Sequence, residues 1–136
     1  GDLNGAVISD TPDSNGQFVV NSVSTSQGSV TTGNSGGDTS VVVDIGTISA
    51  GQVTITYDVI IPDPVPNFAG ELTNQATLTS DELIDIVSDD PATVAAADPL
   101  VTPIIGQRPV VDLNNDPNQT DYATTYTEDT PAVDAT

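Results

Sequence analysis

Ten residues near the end of the chain, DLNNDPNQTD (112–121), form its densest set of oxygen-bearing side chains. Asp112, Asn114 and Asp116 alternate, and Asn118 and Asp121 follow. A hard cation such as Ca2+ gathers about six to eight oxygens from carboxylates, amides and carbonyls. Asp112, Asn114, Asp116 and Asp121 are therefore the candidate metal ligands, and Ca2+ is the one cofactor for which the sequence makes a case. The spacing is not that of an EF-hand, because the glycine at the sixth loop position and the glutamate at the twelfth are missing. Two weaker clusters are Asp10, Asp13 and Asn15 in DTPDSNG, and Ser88–Asp89–Asp90. Asp and Asn also build turns through their own backbone-bonding side chains. On sequence alone both readings of these clusters stay open.

Other chemistry finds little to work with. Histidine and cysteine are absent, which removes imidazole bases, Ser-His pairs, thiol nucleophiles, thiolate metal sites and disulfides. Asp10-Thr11-Pro12 parallels the D-T-G of aspartic proteases, but proline replaces the glycine and no second copy occurs. No Gly-rich phosphate loop joins a strand to a helix. With 20 acids, any two could be nominated as a glycosidase pair, so the nomination carries no information. The expectation is a protein without enzymatic activity. The single sequon, Asn118–Gln119–Thr120, weighs little, because chance matches are common.

The acids, 17 Asp and three Glu against the lone Arg108, give a formal net charge of −19. Such a chain repels nucleic-acid phosphates and anionic membrane surfaces. Its natural partners are cations. No stretch approaches the roughly 20 apolar residues of a membrane span. The chain starts at Gly1 within turn-like sequence and shows no signal peptide, so it reads as a processed or excised piece.

The elements that must position these residues read as strands and turns. Thr, Val, Ser, Gly, Pro, Asn and Asp dominate, and strong helix formers are few. The clearest strand is VTITYDVII (53–61), where Val53, Ile55, Tyr57, Val59 and Ile61 share one face. AVIS (6–9), FVVNSVSTS (18–26), TSVVVDIGTI (39–48), ELTNQATLTS (71–80) and LIDIVSD (83–89) are further strand runs, while GDLNG (1–5) reads as a turn. PDPVPNFAG (62–70) is a loop, because its three prolines exclude a central strand. Ala95–Ala97 could make one helical turn between Pro91 and Pro99. Turn signals recur at the spacing of a sandwich or barrel, so the class is all-β. The buried set expected from the alternation is Val7, Phe18, Val20, Val42, Ile45, Ile48, Val53, Ile55, Tyr57, Val59, Leu72, Ala76, Leu78 and Ile86. The domain ends near Ile105. Residues 106–136 are expected to be an acidic linker carrying one brief strand, PVVDL, and then a C-terminal strand.

ISDTPD (8–13), GSVTTGNSGGDTSVVVDIGTISAGQVTITYDVII (28–61), LTNQATLTSD (72–81) and SDDPAT (88–93) appear in this order. Together they resemble the conserved repeat domain of bacterial surface proteins, over about residues 1–105. The more specific pieces are the D-T-P turn, the I-G-T-I-x-A-G turn before the best strand, and N-Q-A-T. The resemblance implies an immunoglobulin-like antiparallel β-sandwich, often found in tandem in long secreted chains. It also implies a location outside the cell. The family's usual first strand, of the type tVtVtNtG, has no counterpart here. The tail PVVDLNNDPNQTDYATTYTEDTPAV (109–133) resembles the opening of a cadherin-like module.

A sandwich short of one strand, followed by an additional strand, suggests assembly. In DYATTYTED (121–129), Tyr122, Thr124 and Tyr126 share one face. The expected function is a structural module of an extracellular surface protein or filament. Its copies would join head-to-tail, the tail strand of one completing the sandwich of the next. The tail could equally begin a neighbouring module. The rival class is an adhesin module that holds a glycan or a protein receptor. A glycan site usually needs an exposed aromatic, and only Phe18, Tyr57, Phe68, Tyr122 and Tyr126 are available.

Overall fold

Three consecutive valines, Val41, Val42 and Val43, show how this chain chooses its faces. All three are apolar, so alternation alone leaves the inward side undetermined. Pairing decides it: Val43 lies opposite Ile8 and Val41 opposite Asp10, and these residues turn inward while Val42 turns out. In the computed structural model, which describes residues 1–66 and 69–105, eleven strands follow one another and no α-helix occurs among the described residues. They are β1 (Leu3–Asp10), β2 (Gln17–Phe18), β3 (Ser24–Thr25), β4 (Ser29–Thr32), β5 (Val41–Ile48) and β6 (Ile55–Thr56). β7 (Val59–Ile60), β8 (Glu71–Asn74), β9 (Thr77–Thr79), β10 (Ile86–Val87) and β11 (Leu100–Pro103) complete the series.

Five of them form one antiparallel sheet in the order β10-β9-β1-β5-β4. The others pair as the antiparallel ladders β2–β7, β3–β6 and β8–β11. The fully buried apolar residues are Ala6, Val23, Val41, Val43 and Ile45, mostly on β1 and β5. Phe18, Val53, Ile55 and Tyr57, from the segments around β2, β6 and β7, pack against them. The fold is thus an all-β antiparallel sandwich, and its core lies between the five-stranded sheet and the β2–β7 and β3–β6 ladders.

Several details depart from the sequence expectation. Asn4-Gly5 does not turn the chain. It lies within β1, where the register shifts between Leu3 and Ala6 and Gly5 has φ of 59°. A Cβ on Gly5 would stand 2.9 Å from Asp81 Oδ1, so this left-handed residue is also sterically confined. The run 53–61 is broken at Tyr57–Asp58. There Val19 N–H donates to Asp58 O at 3.0 Å and Asp58 N–H donates to Ser22 Oγ at 2.9 Å. Asn21, at φ 70°, loops the partner segment outward. Of 83–89, only Ile86–Val87 is strand.

Of the expected buried set, only Ile45 is fully buried, and Ala6, Val23, Val41 and Val43 were missed. Val7 and Val42 lie half-buried on the other side of the sheet, and Ile86 is 47% exposed. The remaining members are half-buried, as a thin sandwich of short strands allows. The brief strand PVVDL, the C-terminal strand and Phe68 lie outside the described residues.

Candidate functional site

Reading across the five-stranded sheet gives one continuous row of facing residues. Val30 lies opposite Val43, Val43 opposite Ile8, Ile8 opposite Leu78, and Leu78 opposite Ile86. All five are aliphatic, so the row is a single apolar stripe. Its burial is uneven. Val43, second from the Val30 end, is 0% exposed, Ile8 and Leu78 are half-buried, and Ile86 at the far end is 47% exposed. The second layer covers one end of the row and leaves the other open. At the open end lies a cleft of about 160 Å³ lined by Ile8, Ala76, Leu78, Ile86, Val87 and Ser88. Leu83 and Ile84, just before β10, are also exposed, Ile84 at 92%.

The backbone at this edge is open as well. Ser88 N–H donates to Ala76 O at 2.8 Å, and Val87 lies opposite Thr77. In an antiparallel ladder, successive residues point their backbone groups to opposite sides. Val87 therefore turns its N–H and C=O away from β9, and β10 has no other strand partner among the described residues.

Polar side chains elsewhere are committed to holding the fold. Asp10 is buried at the end of β1. Its Oδ2 accepts from the Tyr57 hydroxyl at 2.7 Å and from Asn74 Nδ2 at 2.8 Å, which ties β1 to β8 and to the segment between β6 and β7. Oδ1 makes no hydrogen bond among the described residues. Burial, reinforced by the Asp10 carboxylate, pushes the Tyr57 hydroxyl well above its ordinary range, so it remains a neutral donor. A Tyr alternating with Val53 and Ile55 on an inward face needs a polar partner, and that was the available signal for this cluster.

Asp13 and Asp38 flank a second depression of about 390 Å³, which Phe18 also lines. Backbone N–H donors occupy both carboxylates and hold them below the usual carboxylate range. Asp13 Oδ1 accepts from Asn15 N–H at 2.8 Å and its Oδ2 from Thr73 N–H at 2.8 Å. Asp38 Oδ2 accepts from Gly33 and Ser35. Phe18 stands edge-to-face with Tyr57 at 5.8 Å, so its ring serves the interior.

The candidate ligands Asp112, Asn114, Asp116 and Asp121, and the tail residues Tyr122, Thr124 and Tyr126, lie outside the described residues. Of the first weaker cluster, Asp13 and Asn15 meet, the Asn15 amide donating to Asp13 Oδ1 at 3.0 Å, while Asp10 turns to Tyr57 and Asn74. Asp10 and Asp13 serve the separate partners given above. Asp89 Oδ1 accepts from Ala97 N–H at 2.7 Å and Asp90 Oδ1 from Ala92 N–H at 2.8 Å. No group of three or more His, Cys, Asp or Glu side chains arranged to hold a metal occurs among the described residues. Nor is any helix among them long and apolar enough to cross a membrane. Comparison with family models, curated proteins and solved structures finds no match to this chain.

Proposed function

We propose that this chain is a non-catalytic structural module of an extracellular bacterial surface protein or filament. Its copies join head-to-tail, and residues 121–135 of one copy complete the sandwich of the next. The observation that carries this reading is the apolar row that runs from a buried Val43 to an open Ile86. A stripe uncovered at one end, beside a strand edge with no partner among the described residues, supports the acceptor half that strand addition requires. The resemblance to surface-protein repeats supports the location outside the cell, and the alternation of Tyr122, Thr124 and Tyr126 supports the donor. The linker of about 15 residues after Ile105 reaches ~50 Å at roughly 3.3 Å per residue, enough to arrive at a neighbouring copy. Ca2+ held by Asp112, Asn114, Asp116 and Asp121 would stiffen that passage and offset self-repulsion between acids.

Deleting residues 119–136 tests the reading. The expected product is a destabilised monomer, restored by an added peptide of the tail sequence. A truncated protein that still polymerises, or that is stable and indifferent to the peptide, refutes the reading. For the ion, a chelator should lower the melting temperature, and an unchanged curve in chelator and in millimolar Ca2+ removes it.

A further inference from the structure

The five-stranded sheet has two outer strands, β4 and β10, and they are not equivalent. β4 is blunted. Its register with β5 shifts between Val30 and Thr32, which kinks the edge. Thr31 Oγ1 folds back onto Val42 O at 3.1 Å, and Val30 already packs against the core. β11, the exposed strand of the β8 ladder, ends in Pro103, which has no N–H to offer an incoming strand. β10 carries none of these protections. Ile86 is half-exposed on the inner face, Val87 points its backbone groups outward, and the cleft opens beside them.

We infer that β10 is the acceptor edge for the tail strand of a second copy of this chain. The tail lies along Ile84–Ser88, and Tyr122, Thr124 and Tyr126 extend the row Val43–Ile8–Leu78–Ile86 by one strand. This rests on the head-to-tail reading above and adds to it the place of entry. The match is one of period and length. Ile86 lies on the inner side of the edge, Ile84 and Ser88 stand two residues to either side of it, and Tyr122, Thr124 and Tyr126 have the same spacing in the sequence. Tyrosine suits this position, because its ring covers the exposed aliphatic groups while its hydroxyl stays at the wet rim.

The chain has no cysteine, so an introduced pair reports without background. One full-length chain carries Ile86→Cys. A second carries cysteine at Tyr122, Thr124 or Tyr126 in turn. The two are mixed under mild oxidation. The expected result is a mixed disulfide between copies at one or more tail positions, identified by peptide mass, and none when Thr31→Cys on β4 replaces Ile86→Cys. Crosslinking through Thr31→Cys instead overturns β10 as the acceptor but leaves head-to-tail joining intact. No crosslink at either edge, while deletion of 119–136 still abolishes assembly, has the same meaning. A third chain carries Ile86→Cys together with the tail cysteine; a disulfide that forms only within this chain, and not between the mixed single-cysteine chains, overturns the edge inference and the head-to-tail reading together.

Discussion

Two ends of one apolar row behave as different materials. Around Val43, the sheet is sealed by Phe18, Val53, Ile55 and Tyr57, and the side chains are inaccessible. At the other end, Leu83, Ile84 and Ile86 are exposed large hydrophobics. The chemistry of the residues is the same at both ends, and only the covering layer differs. The same kind of residue is therefore sealed into the core at one end and left at the surface at the other.

The largest effect should separate the ends most sharply. Val43→Ala removes methyl groups from a fully buried site, and chemical denaturation should show a loss of about 1–3 kcal/mol. Tyr57→Phe comes next. It deletes a donor to the buried Asp10 carboxylate, and the same measurement should show a loss of about 1–2 kcal/mol. Ile86→Asp should behave in the opposite way. On a half-exposed edge it should shift monomer stability by no more than about 0.5 kcal/mol, yet light scattering should show assembly lost. Equal losses of stability in Val43→Ala and Ile86→Asp would erase the contrast.

The smallest expected effect is the pH dependence of the monomer. Asp13 and Asp38 are held below the usual range by backbone N–H donors, Glu82 by the Asn4 backbone and amide, and Asp98 by the Thr93 hydroxyl. A lowered folded-state pKa gives stability that is present above the ordinary carboxylate value and lost as pH falls through the folded one. Melting temperature should hold level from neutrality to about pH 4 and decline below it. In Asp13→Asn the decline should be shallower, and a rise in melting temperature on acidification would contradict the assignment.

The all-β class was legible because period-two runs and Pro/Gly/Asx turns agree along the chain. Faces were legible only where polar residues alternate. Tyr57 and Ile55 were placed on the right side by Thr54, Thr56 and Asp58, whereas Ala6-Val7-Ile8 and Val41-Val42-Val43 offered no such contrast, so register decided them. Asn4-Gly5 was misread because the same pair serves a bulge as readily as a turn. The lining of the open cleft was not legible. Ile8 is far in sequence from Leu78 and Ile86, and only the sheet order brings it beside them.

The exit strand of the sandwich has a mechanical consequence. β11 pairs with β8 through four register pairs, Leu100–Asn74 to Pro103–Glu71, and Ile104 N–H adds a bond to Gly70 O at 2.8 Å. All four of its residues are exposed, so little but backbone hydrogen bonding holds it. Tension applied to the chain beyond Ile105 reaches this ladder before it reaches Val43. The ladder is then the first part of the sandwich to yield: its release frees residues 99–105, a reach of ~20 Å at roughly 3.3 Å per residue, while the bonds that tie Ala97 to Asp89 and Gln75 stay in place to re-seat it when the load falls.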